Sequence, residues 1–212
     1  MSKTLIIVIL DESGSMSNKK ADVLGGFNEF VEDQKKIAND QARLILVKFN
    51  ATVSVVFKGK FYSALIILID LKFDQGVELE NVAPLTDNDY TPDGGTALYD
   101  AIAEGVRLAD KDKSEEERVI CVIMTDGEEN SSKETTKQQV KDIISGHEAK
   151  GNWTFLYIGE NPEQWVKDTG MKGGRTKGGG RTKGGGGYQF DHVDMRANIE
   201  KATEGVLQFR SE

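Results

Sequence analysis

Five side chains in three separate segments offer oxygen ligands of the kind that a hard divalent cation takes. Residues 11–15 read Asp-Glu-Ser-Gly-Ser. They present the Asp11 carboxylate and the Ser13 and Ser15 hydroxyls at alternate positions, and a turn through Gly14 can bring these to one point. Thr96 adds a third hydroxyl directly after Gly94-Gly95, where the glycines let the backbone approach closely. Asp126, in Thr125-Asp126-Gly127, completes the set. Mg2+ needs near-octahedral oxygen coordination and usually keeps several waters, and Mn2+ or Ca2+ would accept the same donors. Asp11 would act through water or from the outer shell. Three of the five groups are neutral, and the two carboxylates only balance a divalent charge. The ion therefore keeps affinity for one more carboxylate, such as an Asp or Glu from a protein partner.

Each segment has a plainer reading on its own. Serines after a strand are commonly turn or N-cap residues, Thr96 could cap a helix, and Thr-Asp-Gly could be a simple turn. The three together, in order and at element ends, are far more specific. A strand-end aspartate also suits Mg-dependent phosphoryl transfer, with Asp11 as nucleophile. That chemistry wants a second acid two residues on, and the residue there is Ser13. No lysine-bearing phosphate loop is present. His147 and His192 lie outside the motifs, and neither serine has an evident activating partner. The expectation is a binding module with no catalytic residues, not an enzyme.

The elements that must position these groups follow from the apolar pattern. Residues 3–10 form a short continuous apolar run, the mark of a strand buried on both faces. Helical spacing covers 18–36, with Val23, Phe27, Phe30 and Val31 on one face. Gly25-Gly26 weakens that helix locally and suggests close packing on the sheet. Strands at 43–49 and 52–57 are so closely connected that they form a hairpin, hence an antiparallel edge strand. Further helices are expected at 96–109, 135–146, 162–168 and 194–209, and strands at 118–125, 153–158 and 187–190. Strands alternating with helices predict an α/β fold, an open, doubly wound, mostly parallel sheet with one antiparallel edge strand and helices on both faces. Ligands bind such sheets beyond the carboxyl ends of the strands, where Asp11 and Asp126 fall.

The chain has 212 residues and a net charge of −8, which suits a single domain and argues against nucleic acid as a partner. Cys121 is the only cysteine, so no intramolecular disulfide can form. No apolar run is long enough to cross a bilayer. Met1-Ser2-Lys3-Thr4 leads straight into the first strand without signal-peptide character, so the expected location is cytoplasmic.

Two segments break the rhythm. Residues 58–83 contain an atypical apolar insert whose centre, 61–73, alternates like a strand towards its end. It reads as an extra edge strand or as a site of partner binding or self-association. Residues 171–187 contain Gly-Gly-Arg-Thr-Lys-Gly at 173–178 and again at 179–184, with no acid. So much glycine predicts a flexible loop, with a basic arm for phosphate or an acidic surface as the alternative. So exact a repeat also suggests an expanded or engineered loop. A scaffold with altered loops, used for binding or self-association, is therefore a second functional class.

The run Ile-Val-Ile-Leu-Asp-Glu-Ser-Gly-Ser-Met-Ser at 7–17, the segment Thr-Pro-Asp-Gly-Gly-Thr-Ala-Leu-Tyr-Asp-Ala at 91–101 and Val-Ile-Met-Thr-Asp-Gly-Glu-Glu-Asn at 122–130 together resemble a von Willebrand factor type A domain. The resemblance spans nearly the whole chain apart from the two unusual segments. It implies a mostly parallel sheet with one Mg2+ or Mn2+ at a metal-ion-dependent adhesion site, held by Asp11, Ser13, Ser15, Thr96 and Asp126. It also implies capture of a partner's carboxylate by the ion, with movement of the last helix, 194–209, on binding. The chain looks closer to intracellular bacterial or phage members than to secreted adhesion modules.

Overall fold

Strand β1 (Ser2–Asp11) is the middle of the sheet, and Leu5 through Leu10 are completely buried within it. Each such side chain contributes roughly 2 kcal/mol of burial, which holds the strand that ends at Asp11 firmly in place. The computed structural model describes residues 2–38, 40–56, 76–159, 162–172 and 195–211. β1 pairs in parallel with β2 (Asp40–Phe49) on one side. The remaining strands are β3 (Val53–Val56), β4 (Val77–Glu78), β5 (Arg118–Met124) and β6 (Trp153–Ile158). β1 and β5 are parallel, as are β5 and β6, and the order is β3-β2-β1-β5-β6. The expected antiparallel edge strand is β3, joined to β2 by a turn in which Asn50 N–H donates to the Thr52 carbonyl at 3.0 Å. The two-residue β4 continues the same edge beside Arg43 and Leu44, and the sequence pattern did not reveal it.

The helices are α1 (Lys20–Lys35), α2 (Leu98–Asp112), α3 (Lys137–Ala149), α4 (Pro162–Thr169) and α5 (Met195–Ser211). Strand alternation sorts the core into two halves. Ile6, Val8 and Leu10 face Phe27 and Phe30 of α1 and Ile199 and Val206 of α5. Leu5, Ile7 and Ile9 face Ile102 and Val106 of α2 and Ile144 of α3. Helices therefore cover both faces, as a doubly wound sheet requires. Cys121 is fully buried in the second half, and burial raises its thiol pKa well above the usual value, so it remains an inert thiol.

Residues 14–19 form a separate 3-10 turn ahead of α1 and seat the buried Met16. Gly26 serves a different contact from the one its sequence suggests. A Cβ there would lie 2.6 Å from Ile199 Cδ1 and 3.2 Å from Ile199 Cβ, so the glycine admits α5, not the sheet. Gly26→Ala should lower stability by about 1–2 kcal/mol in urea unfolding, because overpacking outweighs the gain in helix propensity.

At the amino-terminal edge of the sheet, Arg43 holds Glu117 with both arms, Nε to Oε1 at 3.0 Å and Nη2 to Oε2 at 2.8 Å, while Nη1 reaches Asp112 at 2.7 Å. Burial pushes the Glu117 carboxyl up, but the Arg43 and Ser114 hydrogen bonds and the Arg43 charge outweigh it, so its pKa is held below the ordinary value. A depressed carboxylate pKa gives stability that is present above the unfolded value and is lost as the pH falls through the folded value. Glu117→Gln should therefore flatten the acid side of the stability profile while costing about 1–3 kcal/mol at neutral pH. Urea midpoints measured from pH 7 downward check both parts.

The centre of the apolar insert, 61–73, lies outside the described residues, as do most of the glycine tract and the expected strand at 187–190. The end of the insert is ordinary core. Leu79 and Val82 are buried between α1 and the β2 edge. Met171, at the start of the tract, is buried on the α3 side. Among the described residues, no helix is long and apolar enough to cross a membrane.

Candidate metal centre

The parallel register places Leu10 opposite Met124, so the segments after β1 and β5 leave the sheet side by side. Asp11 is fully buried there, and both its oxygens are engaged. Oδ1 accepts the Ser13 backbone N–H at 2.7 Å, closing an Asx turn, and Oδ2 accepts the Thr125 hydroxyl at 2.5 Å. Burial raises the Asp11 pKa above its ordinary value against the opposing pull of these bonds. Ser13 Oγ lies 3.1 Å from Ser15 Oγ, and Ser15 Oγ donates to Asp126 Oδ1 at 2.6 Å. Thr96 closes the group: a Cβ on Gly127 would sit 3.1 Å from Thr96 Oγ1 and 3.5 Å from Ser15 Oγ. All five groups singled out in the sequence thus meet at one place, with Ser15 open to solvent.

Further hydrogen bonds tie the three loops together. Tyr90 donates its hydroxyl to the Asp11 carbonyl at 2.5 Å from a fully buried position. Glu12 accepts Lys48 Nζ at 2.8 and 2.9 Å and the Thr91 N–H at 2.5 Å, and Lys48 also reaches the Asp89 carbonyl. Gly14 N–H donates to the Gly94 carbonyl at 3.0 Å. Gly94 has a φ of +73°, a left-handed conformation that suits glycine. The Thr96 N–H donates to Asn130 Oδ1 at 2.9 Å, and the Thr96 carbonyl accepts from Asn130 and Ser131. Gly95 is needed for that approach, since a Cβ there would meet Ser131 Oγ at 2.1 Å. Thr96 does not cap its helix. α2 starts at Leu98, and its first amides donate to Glu129 Oε2 and Ser132 Oγ from the neighbouring loop. Thr125 and Glu12 could have been suspected from their place inside the motifs. Tyr90 and Lys48 give no local signal.

The donor set fits a hard divalent ion. It consists of oxygens only, with hydroxyls outnumbering carboxylates. Among the described residues, no group of three or more His, Cys, Asp or Glu side chains converges as an alternative metal site. The centre already attracts a cation, because Lys19 Nζ donates to Asp126 Oδ2 at 2.5 Å. Among the described residues, the one histidine stands apart from these loops. His147 binds the Ile143 carbonyl and Asp110 near the end of α3, which leads to the opposite edge of the sheet, and His192 lies outside the described residues.

Residues 6–155 match the von Willebrand factor type A domain. The chain belongs to this family. A von Willebrand factor type A protein from Catenulispora acidiphila superposes with a TM-score of 0.59 at 17% identity, covering 95% of this chain and 42% of that one. Proximal thread matrix protein 1 of the mussel byssus, in a structure with a zinc-occupied MIDAS motif, superposes at 0.57 with 13% identity, covering 97% of this chain and 48% of that one. The manganese-loaded TRAP protein of Plasmodium vivax superposes at 0.56 with 16% identity, covering 93% and 72%. At these identities the likeness is one of fold. The chain spans less than half the length of the first two. No curated protein sequence matches it. Within the type A domain, the five oxygen-bearing side chains converge at the top of the sheet.

Proposed function

We propose that this type A domain is a metal-dependent protein-binding module. A divalent ion, Mg2+ first and Mn2+ or Ca2+ by the same donor chemistry, would be held by Ser13, Ser15 and Thr96, with Asp11 and Asp126 supplying negative charge. The ion supplies Lewis acidity for one further carboxylate, and the chain's own residues fix its place. Asp11 stiffens the first turn, and Asp126 orients the Ser15 hydroxyl. The partner is a protein offering Asp or Glu. The observation that carries this function is the convergence of five oxygen-bearing side chains from three loops. A cytoplasmic location belongs to the same proposal, supported by a single cysteine that is buried and unpaired.

A relaxation titration tests the carboxylate step. Mn2+ bound to the protein enhances water-proton relaxation, and a short Glu-containing peptide should reduce that enhancement as its carboxylate displaces bound water. The same peptide with Gln should have no effect. Equal responses to the two peptides would refute carboxylate capture.

A further inference from the structure

We propose that Lys19 is a built-in competitor for the divalent ion, so that loading the centre requires its ammonium to leave Asp126. This rests on the metal-binding function proposed above. Lys19 is the last residue of the 3-10 turn Gly14–Lys19, which also contains Ser15. Its ammonium lies on Asp126 Oδ2 at 2.5 Å, while Oδ1 takes the Ser15 hydroxyl at 2.6 Å. Both oxygens of Asp126 therefore have protein partners. The Asp126 side chain is only 6% exposed, so the pair is sheltered from solvent screening on the aspartate side.

An ion bound at the Ser13, Ser15 and Thr96 hydroxyls would lie within a few ångströms of the Lys19 ammonium. A double positive charge and a single one at that separation repel each other strongly in a partly buried site. The same carboxylate cannot serve both fully. Lys19 has the means to yield, because its side chain is 28% exposed and its four-carbon stem is flexible. The ion must therefore displace an existing ion pair, and its affinity is set below what the oxygen donors alone would give. In exchange, the ammonium compensates the Asp126 charge whenever no ion is bound. The neighbouring Lys20 is directed elsewhere, to the Asp87 carbonyl, so the competition belongs to Lys19 alone of the two.

Calorimetric titration of Mn2+ into wild type, Lys19→Met, Lys19→Gln and Lys19→Arg at fixed ionic strength tests the inference, with thermal midpoints of the metal-free proteins as a second readout. Lys19→Met and Lys19→Gln should bind Mn2+ about tenfold more tightly, the effect of removing one competing ion pair. Both should melt lower than wild type without metal, and Lys19→Arg should stay near wild type in affinity. Wild-type binding with unchanged or weaker affinity in both neutral variants would overturn the role of Lys19 and leave the metal site standing. Absence of Mn2+ binding in all four proteins would overturn the metal site and the competitor with it.

Discussion

Asp11→Asn should lower divalent-ion affinity by about 100-fold while leaving the metal-free domain at least as stable as wild type. The two halves of that expectation have one cause. Asp11 is buried, and burial already disfavours its ionised form. In the metal-free domain the charge is thus a burden, and the amide of Asn removes it at nearly constant volume. The hydrogen bonds survive. Asn Oδ1 can still accept the Ser13 N–H, and the Thr125 hydroxyl can turn its proton to the Gly127 carbonyl, 3.2 Å away, and accept from the new amide. With metal the balance reverses, because a divalent ion needs the negative charge that Asn lacks. Thr96→Ala should cost about tenfold, since it removes one neutral oxygen that water can replace. Calorimetry gives the affinities, and thermal unfolding in chelator gives the stabilities. A variant that binds metal like wild type would show that Asp11 is structural only.

Arg210→Met should be the most damaging single change away from the site, at about 3–5 kcal/mol in urea unfolding. Arg210 and Asp40 are each 1% exposed at the side chain and meet at 2.7 Å. The guanidinium also donates to the Gln34 carbonyl at 2.8 Å and to Gln34 Oε1 at 3.0 Å. One side chain thus joins the end of α5 to the end of α1 and the start of β2. Without it, Asp40 is a buried charge with no counter-ion among the described residues, and its Oδ1 already lacks a hydrogen bond. Replacing both partners, as Asp40→Leu with Arg210→Met, should recover much of the loss, because a buried pair is costly mainly when half of it is removed. The same contact bears on the last helix. Arg118 donates to the Phe209 carbonyl at 2.9 Å and to the Arg210 carbonyl at 3.3 Å, so this end of α5 is pinned to the sheet.

The parts of the fold that could be read from the sequence were those set by local pattern. The continuous apolar runs at β1 and β5 gave parallel strands, and the 3.6-residue spacing of Val23, Phe27 and Phe30 gave α1. The strand ends then placed Asp11 and Asp126 on one edge. Long-range contacts were not legible. Gly26 looks like a local weakness until Ile199, far along the chain, is found against it. β4 is only two residues long, too short for any period to show. Arg210 follows Phe209 near the end of α5, and only its partners Asp40 and Gln34 reveal that it is buried. The site divides in the same way. Its five oxygens stand in short motifs, whereas Tyr90 and Lys48 support them from positions that carry no motif. Lys19 belongs to no motif, and only the turn that brings it onto Asp126 reveals its place.

Anomalous diffraction from crystals grown with Mn2+ tests most directly for one ion at the top of the sheet. One anomalous peak is expected, about 2.0–2.6 Å from Ser13 Oγ, Ser15 Oγ and Thr96 Oγ1, with Asp11 and Asp126 close by and Lys19 withdrawn from Asp126. A peak elsewhere, or crystals that show none at saturating Mn2+, would contradict the metal centre and the function built on it.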